Sequence, residues 1–178
     1  MFGTKRKVEV FFDYACPFSR KANEFLMQLL PEFPDIQPIW RPCEAYPRPS
    51  SHELHPHSDL CIQAMFFAAD QGVDLCEFHN LTFSLIHETD TNVENIDSLA
   101  AALSSLLDAK NLRRALTMSK YRQIQEDANK YAFEQSGIWT LPAYRMEGRR
   151  LDSALDIGVT LEQLHTFLKT CSHIDNYN

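Results

Sequence analysis

A chain of 178 residues, 44% of them hydrophobic, can bury a real core and has the size of one domain. Its formal net charge of −7 argues against nucleic acid or an anionic membrane surface as the main partner. The basic start Lys5-Arg6-Lys7 is followed by an apolar run that breaks at Glu9 and Asp13, which makes neither a signal peptide nor a membrane span, so the expected compartment is the cytoplasm.

Residues 7–13 read as a strand, and residues 17 to about 30 as a helix ending in Pro31-Glu32-Phe33-Pro34-Asp35. Cys16 sits at the junction. The unpaired N–H groups and positive dipole end of a helix start stabilise a thiolate, so this placement predicts a reactive, exposed cysteine with a pKa lowered to roughly 3.5–7.5. Pro17 suits the first helical position, where its missing N–H costs nothing. Ser19 stands where a dithiol motif has its second cysteine, so Cys16 is expected to stop at a mixed disulfide or use another thiol. The Ser19 hydroxyl is placed to donate a hydrogen bond toward the sulfur. Asp13 reads as the residue that ends the strand, although a carboxylate close to Cys16 would raise the thiol pKa. Tyr14 offers either a wall to the site or packing under the helix.

Residues 36–41 read as a second strand, with Pro38 favouring an edge position or a bulge. Prolines, serines and charges from Pro42 to Pro56 mark a loop. His52, His55 and His57 lie in it and invite a metal reading, since imidazole suits zinc, copper or nickel. Their spacing matches no closed zinc pattern, so they read as solvated or loop-ordering side chains and no metal is expected. Leu60, Ala64, Phe67 and Ala68 then share a helical face, as do Leu99, Ala102, Leu103 and Leu106, and Tyr121, Ile124, Ala128 and Tyr131. A stretch of this length exceeds one crossover. It predicts a helical insertion over residues 57–130, between a first part of the domain at residues 1–56 and a second at 131–178, all one compact unit.

Five cysteines at irregular spacing are unlike a disulfide framework and are expected to be reduced. Cys61 and Cys76 fall in helical patterns as core residues. Cys43, ending the second strand, is either a packing residue or a resolving thiol. Arg113-Arg114 and Arg149-Arg150 read as solvated charge, with a glutathione carboxylate as the other reading for one pair.

Gly137 reads as a helix stop. Pro142 opens an apolar run through Tyr144 and Met146 that turns at Glu147-Gly148 and returns through Leu151, a hairpin signal. On its own, Pro142 reads as an edge-strand proline. Thr160 and Gln163 form a capping box for a last helix, with Val159 and Leu164 placed as a hydrophobic staple.

Phe11-Phe12-Asp13-Tyr14 leading into Cys16-Pro17-Phe18-Ser19, the stretch Trp40-Arg41-Pro42, and Gly137 through Pro142 together resemble the thioredoxin-like superfamily. Within it they resemble the branch of DsbA-like and FrnE-like proteins, hydroxychromene-carboxylate isomerases and kappa-class glutathione transferases. The resemblance implies an α/β thioredoxin-like fold with a large helical insertion between the second strand and a cis-Pro hairpin. It also implies that the Leu141–Pro142 loop faces Cys16, with Leu141 backbone groups open to an extended substrate. Two departures stand out: dithiol members carry cysteine at the position of Ser19, and isomerase and kappa-class members carry serine at the position of Cys16.

The expected activity is that of a DsbA-like thiol-disulfide oxidoreductase or isomerase, acting through a Cys16 thiolate and a mixed disulfide that an external thiol resolves. Cys16 and Ser19 are the catalytic candidates, and Tyr14, Pro17, Phe18, Leu141 and Pro142 the substrate-binding ones. The expected partner is a thiol or disulfide, either glutathione as co-substrate or a protein, with no tightly bound cofactor. A glutathione-dependent transferase or isomerase and a non-enzymatic binding module are the alternatives. The sequence leaves the oligomeric state open.

Overall fold

The first strand, β1 (Arg6–Phe12), sets both faces of the sheet, because successive side chains of a strand point to opposite sides. Val8, Val10 and Phe12 are buried in the main core, while Phe11 is buried on the other face among Cys43, Ala132, Ile138 and Ala143. A computed structural model describes residues 5–50 and 55–169 of the chain. Cys171 and His52 lie outside the described residues.

Helix α1 (Pro17–Leu29) follows β1 and buries Ala22, Leu26 and Leu29, spaced by four and three residues on one face. It gives way to a single 3₁₀ turn at Leu30–Glu32, where Pro31 interrupts it. The chain returns as β2 (Ile36–Pro42), which pairs in parallel with β1, from Arg6 opposite Ile36 to Phe12 opposite Pro42. Trp40-Arg41-Pro42 therefore forms the end of the strand, which runs one residue past the expected 36–41. The sheet order is β2-β1-β3-β4, so β2 is an edge and Pro38 is tolerated there.

Between β2 and β3 run helices α2 (Asp59–Asp70), α3 (Leu75–His87), α4 (Ile96–Ala102), α5 (Ala109–Thr117) and α6 (Arg122–Lys130). Asp74, Asn95 and Asp108 cap three of them through side-chain oxygens that accept backbone N–H bonds. A π turn, Tyr131–Gln135, continues α6 and lays Ala132 over the second face of the sheet. Arg41 and the Tyr131 hydroxyl both reach the Glu9 carboxylate there, at 2.8 and 2.7 Å. The expected apolar face of α6 fails at one position: Ile124 is exposed, and Gln125 is buried in its place because it donates a hydrogen bond to the buried Glu44 carboxylate.

Strand β3 (Ala143–Met146) pairs antiparallel with both β1 and β4 (Arg149–Asp152). It is an inner strand, so Pro142 is not an edge-strand proline; it stands just before the strand, where no ladder N–H is needed from it. Glu147 and Gly148 turn the hairpin at φ +51° and +76°, the left-handed pair a two-residue turn demands. The last helix, α7 (Leu161–Lys169), has its capping box formed: Thr160 N donates to Gln163 Oε1 at 2.9 Å, and Gln163 N to Thr160 Oγ1 at 3.2 Å. Val159, Leu164 and Leu168 are buried. Among the described residues this is an α/β fold of four strands and seven helices, with the helices α2–α6 inserted between the second strand and the proline hairpin.

Glu44 ties α6 to the loop after β2, and burial, with Asp59 nearby, pushes its pKa up to about 7. An unfolded glutamate titrates near 4.3. The folded state therefore holds the proton longer, and the stability present below about pH 4.3 falls as pH rises through the folded value. In urea titrations, wild type is expected to lose ground to Glu44→Gln from about pH 4.3 to about 7 and to keep a constant gap above.

Candidate active site

The turn from β1 into α1 is built on Asp13. Its Oδ1 accepts the Ala15 amide at 2.9 Å and the Ser58 hydroxyl at 2.6 Å, and its Oδ2 accepts the Ala45 amide at 2.8 Å. One buried carboxylate thus joins the end of β1, the loop after β2 and the start of α2. The turn closes with the Cys16 amide bonded to the Asp13 carbonyl at 3.1 Å, and α1 begins with the Arg20 amide on the Cys16 carbonyl at 3.1 Å. Cys16 is the residue that caps α1, in extended conformation, with Pro17 at the first helical position.

The placement at the helix start is as the sequence implies, and the electrostatics are not. Cys16 is partly buried, and that burial pushes its thiol above the ordinary value. The Ser19 hydroxyl and the amides of Ser19 and Phe18 favour the thiolate, while the Asp13 charge opposes it. The expected depression of the pKa is overturned: desolvation exceeds what the helix start and Ser19 supply. Asp13, read from the sequence as a strand end, also tunes the thiol. Ser19 is buried beneath Cys16 and accepts the Asp13 amide at 3.3 Å.

Beside the sulfur opens a groove of about 360 Å³ lined by Asp13, Ala15, Cys16, Pro17, Phe18, Ala45, Tyr46, His55, Phe133, Trp139 and Leu141. Neither lysine nor arginine is among them. The Leu141–Pro142 bond is cis, and the Leu141 carbonyl accepts from the Cys16 thiol at 3.8 Å across 125 residues of sequence. Pro142 lines a small internal cavity with Ser19, Trp40 and His79 instead of the groove, so Leu141 is the member of that pair that lines the groove. Trp139 is 88% exposed at the rim. Leu155 and Ile157, 80% and 68% exposed, stand on the loop whose Gly158 packs against Phe18. A Cβ at Gly158 would fall 2.9 Å from the Phe18 ring, at a backbone φ of +81° that side chains avoid.

Tyr14 does not wall the site. It is fully buried, its hydroxyl hydrogen-bonded to Nδ1 of His79 at 2.7 Å. Burial keeps the tyrosine protonated and pushes His79 down to about 3, so the imidazole is neutral. His87 donates to the Tyr14 carbonyl at 2.8 Å. Neither His79 nor His87 carries a signal in the sequence, since each is a single histidine inside an amphipathic helix.

Cys43 is fully buried in the second core, as its packing reading has it, and burial raises its thiol strongly, with the nearby Asp13 and Cys16 adding to the effect. Cys61 is buried as expected, whereas Cys76 is only partly so, at the start of α3. His57 orders the loop through the Tyr46 carbonyl at 3.1 Å, and His55 faces the Cys16 groove. Among the described residues no group of three histidine, cysteine, aspartate or glutamate side chains is arranged to hold a metal. Arg149 donates to the Phe167 carbonyl and Arg150 to Asp152, both on the hairpin side of the fold.

No family model matches the chain. It is 23% identical to the uncharacterized protein YwbO of Bacillus subtilis, over 77% of this chain and 84% of that protein. Its structure is similar to a probable DsbA oxidoreductase from Streptomyces coelicolor, with a TM-score of 0.75 and 13% identity over 92% of this chain and 88% of that one. It is also similar to MdbA, a thiol-disulfide oxidoreductase from Actinomyces oris, with a TM-score of 0.64 and 20% identity over 93% and 82%. The fold is therefore thioredoxin-like in its DsbA-like form.

Asp13→Asn removes the charge that opposes the thiolate and keeps most of the side-chain shape. The Cys16 thiol of this variant is expected to titrate at lower pH than wild type, followed by thiolate absorbance or by the pH dependence of iodoacetamide labelling on folded protein. An unchanged or higher titration point would show that Asp13 does not set the thiol.

Proposed function

We propose that this protein is a monothiol thiol-disulfide oxidoreductase whose nucleophile is Cys16. The observation that carries the reading is one arrangement: a single cysteine at the start of α1, Ser19 where a second thiol would stand, and the Leu141 loop closing a groove over the sulfur. The Cys16 sulfur attacks one sulfur of a substrate disulfide, a new bond joins them, and the substrate bond breaks with its electron pair leaving on the other sulfur. Among the described residues that line the groove Cys16 is the one cysteine, so an external thiol attacks the mixed disulfide and releases Cys16.

The substrate class that fits is an extended polypeptide. The rim is apolar at Phe18, Trp139, Leu155 and Ile157, and exposed apolar surface of this kind is what binding partners cover. Glutathione carries two carboxylates, and the groove lining offers no guanidinium or ammonium to pair with them. That counts against the transferase and isomerase readings and leaves glutathione the role of external thiol. Among the described residues no helix is long and apolar enough to cross a membrane. Five irregularly spaced cysteines favour a reducing compartment, the cytoplasm, for this activity.

Incubation with a peptide held by one intermolecular disulfide is expected to leave half of the peptide on Cys16, seen as a mass gain on a single tryptic fragment and lost on adding a thiol. Cys16→Ser should gain nothing. In Ser19→Cys the new thiol should oxidise to an internal disulfide with Cys16 and speed insulin reduction. A wild-type protein that gains the adduct elsewhere, or not at all, would remove the reading.

A further inference from the structure

The exchange reaction leaves a proton to be moved. A thiol raised by burial is mostly protonated near neutral pH, and an alkyl thiolate, with its higher pKa, leaves more slowly than an aryl one and gains from a proton donor. Asp13 is badly placed for the task, since three donors already occupy its two oxygens. His79 is sealed in the core, and His87 is engaged with the Tyr14 carbonyl. His55 belongs to the groove. It lines the same cavity as Cys16, Phe18 and Leu141, on the wall formed by the loop after β2, with its ring stacked at 17° on Tyr46.

The geometry points to His55 as the proton carrier of the exchange, a catalytic residue that takes the thiol proton from Cys16 and delivers it to the departing sulfur. This role rests on the proposed exchange chemistry of Cys16. Among the described residues, the charged and titratable groups near it are Asp13 and Cys16 from the turn before α1, Tyr46 from its own loop and His87 from α3.

In the first step the Cys16 S–H bond breaks and its proton passes to the imidazole. The sulfur bonds to one substrate sulfur, the substrate S–S bond breaks, and the other substrate sulfur leaves with the electron pair and takes the proton from His55. In the second step an external low-molecular-weight thiol gives its proton to the imidazole and attacks the substrate sulfur of the mixed disulfide. Cys16 departs with the electron pair and is reprotonated. One disulfide is consumed and one is formed, so no further oxidant or reductant is needed.

The test compares wild type and His55→Gln with two probes: a peptide disulfide, whose high-pKa alkyl thiolate leaves faster with a proton donor, and dithiobisnitrobenzoate, whose low-pKa aryl thiolate gains nothing from one. At pH 7 the variant should react with the peptide disulfide roughly 10²-fold more slowly than wild type. Above the pH at which Cys16 titrates, both proteins should react equally with the aryl disulfide. An unchanged rate with the peptide would overturn the assignment, as would an equal loss with both probes at high pH, which marks a damaged groove. Wild type that forms no Cys16 adduct with either probe would overturn the exchange reading itself. A wild-type adduct formed at the rate of His55→Gln would overturn the role of His55 alone.

Discussion

The carboxylate of Asp13 holds the active-site half of the molecule together. Three parts of the chain, the end of β1, the loop at Ala45 and the start of α2 at Ser58, meet at its two oxygens. Hydrogen bonds to a charged group contribute roughly 1.5–3 kcal/mol each, and these three offset part of the cost of burying the carboxylate, which still pushes its pKa above the usual carboxylate range. These bonds help to hold the helical block, and the groove wall that carries Tyr46 and His55, against the turn at Cys16.

Burial makes Cys16 a reluctant thiolate, and the Asp13 charge adds to it. The helix start, with the amides of Phe18 and Ser19 and the Ser19 hydroxyl, draws the thiol toward ionisation, while burial and the Asp13 charge hold it back, and burial is the larger. Under the exchange chemistry proposed above, such a thiol stays quiet in solvent and reacts when a substrate disulfide is seated with a means of moving the proton. The placement of one imidazole in a groove walled largely by apolar side chains fits that requirement.

Much of the fold was legible because it rests on local patterns. The alternation of Val8, Val10 and Phe12, the cap pair Thr160 and Gln163 and the turn at Glu147-Gly148 each declare themselves within a few residues. The cysteine at the helix start was legible for the same reason. Its pKa was not, because desolvation depends on which segments pack around the sulfur, and Leu141 lies 125 residues away. Tyr14 and Asp13 exchanged the roles their residue types suggest. The aromatic ring went into the core with His79, 65 residues on, and the carboxylate went under the site with Ser58, 45 residues on. Ile124 and Gln125 traded places for a like reason, since the Glu44 carboxylate needs a buried donor. His55 could be distinguished from His57 only by the direction of a loop.

The most direct measurement of the central claim is alkylation resolved by cysteine, with iodoacetamide applied to folded protein across pH and each thiol counted by mass spectrometry. Cys16 should label first among the cysteines of the described residues, with a midpoint above the ordinary thiol value of about 8.5, and Cys43 and Cys61 should label only on unfolding. Labelling of Cys43 or Cys61 alongside Cys16 in the folded protein, or a Cys16 midpoint well below that value, would contradict the account.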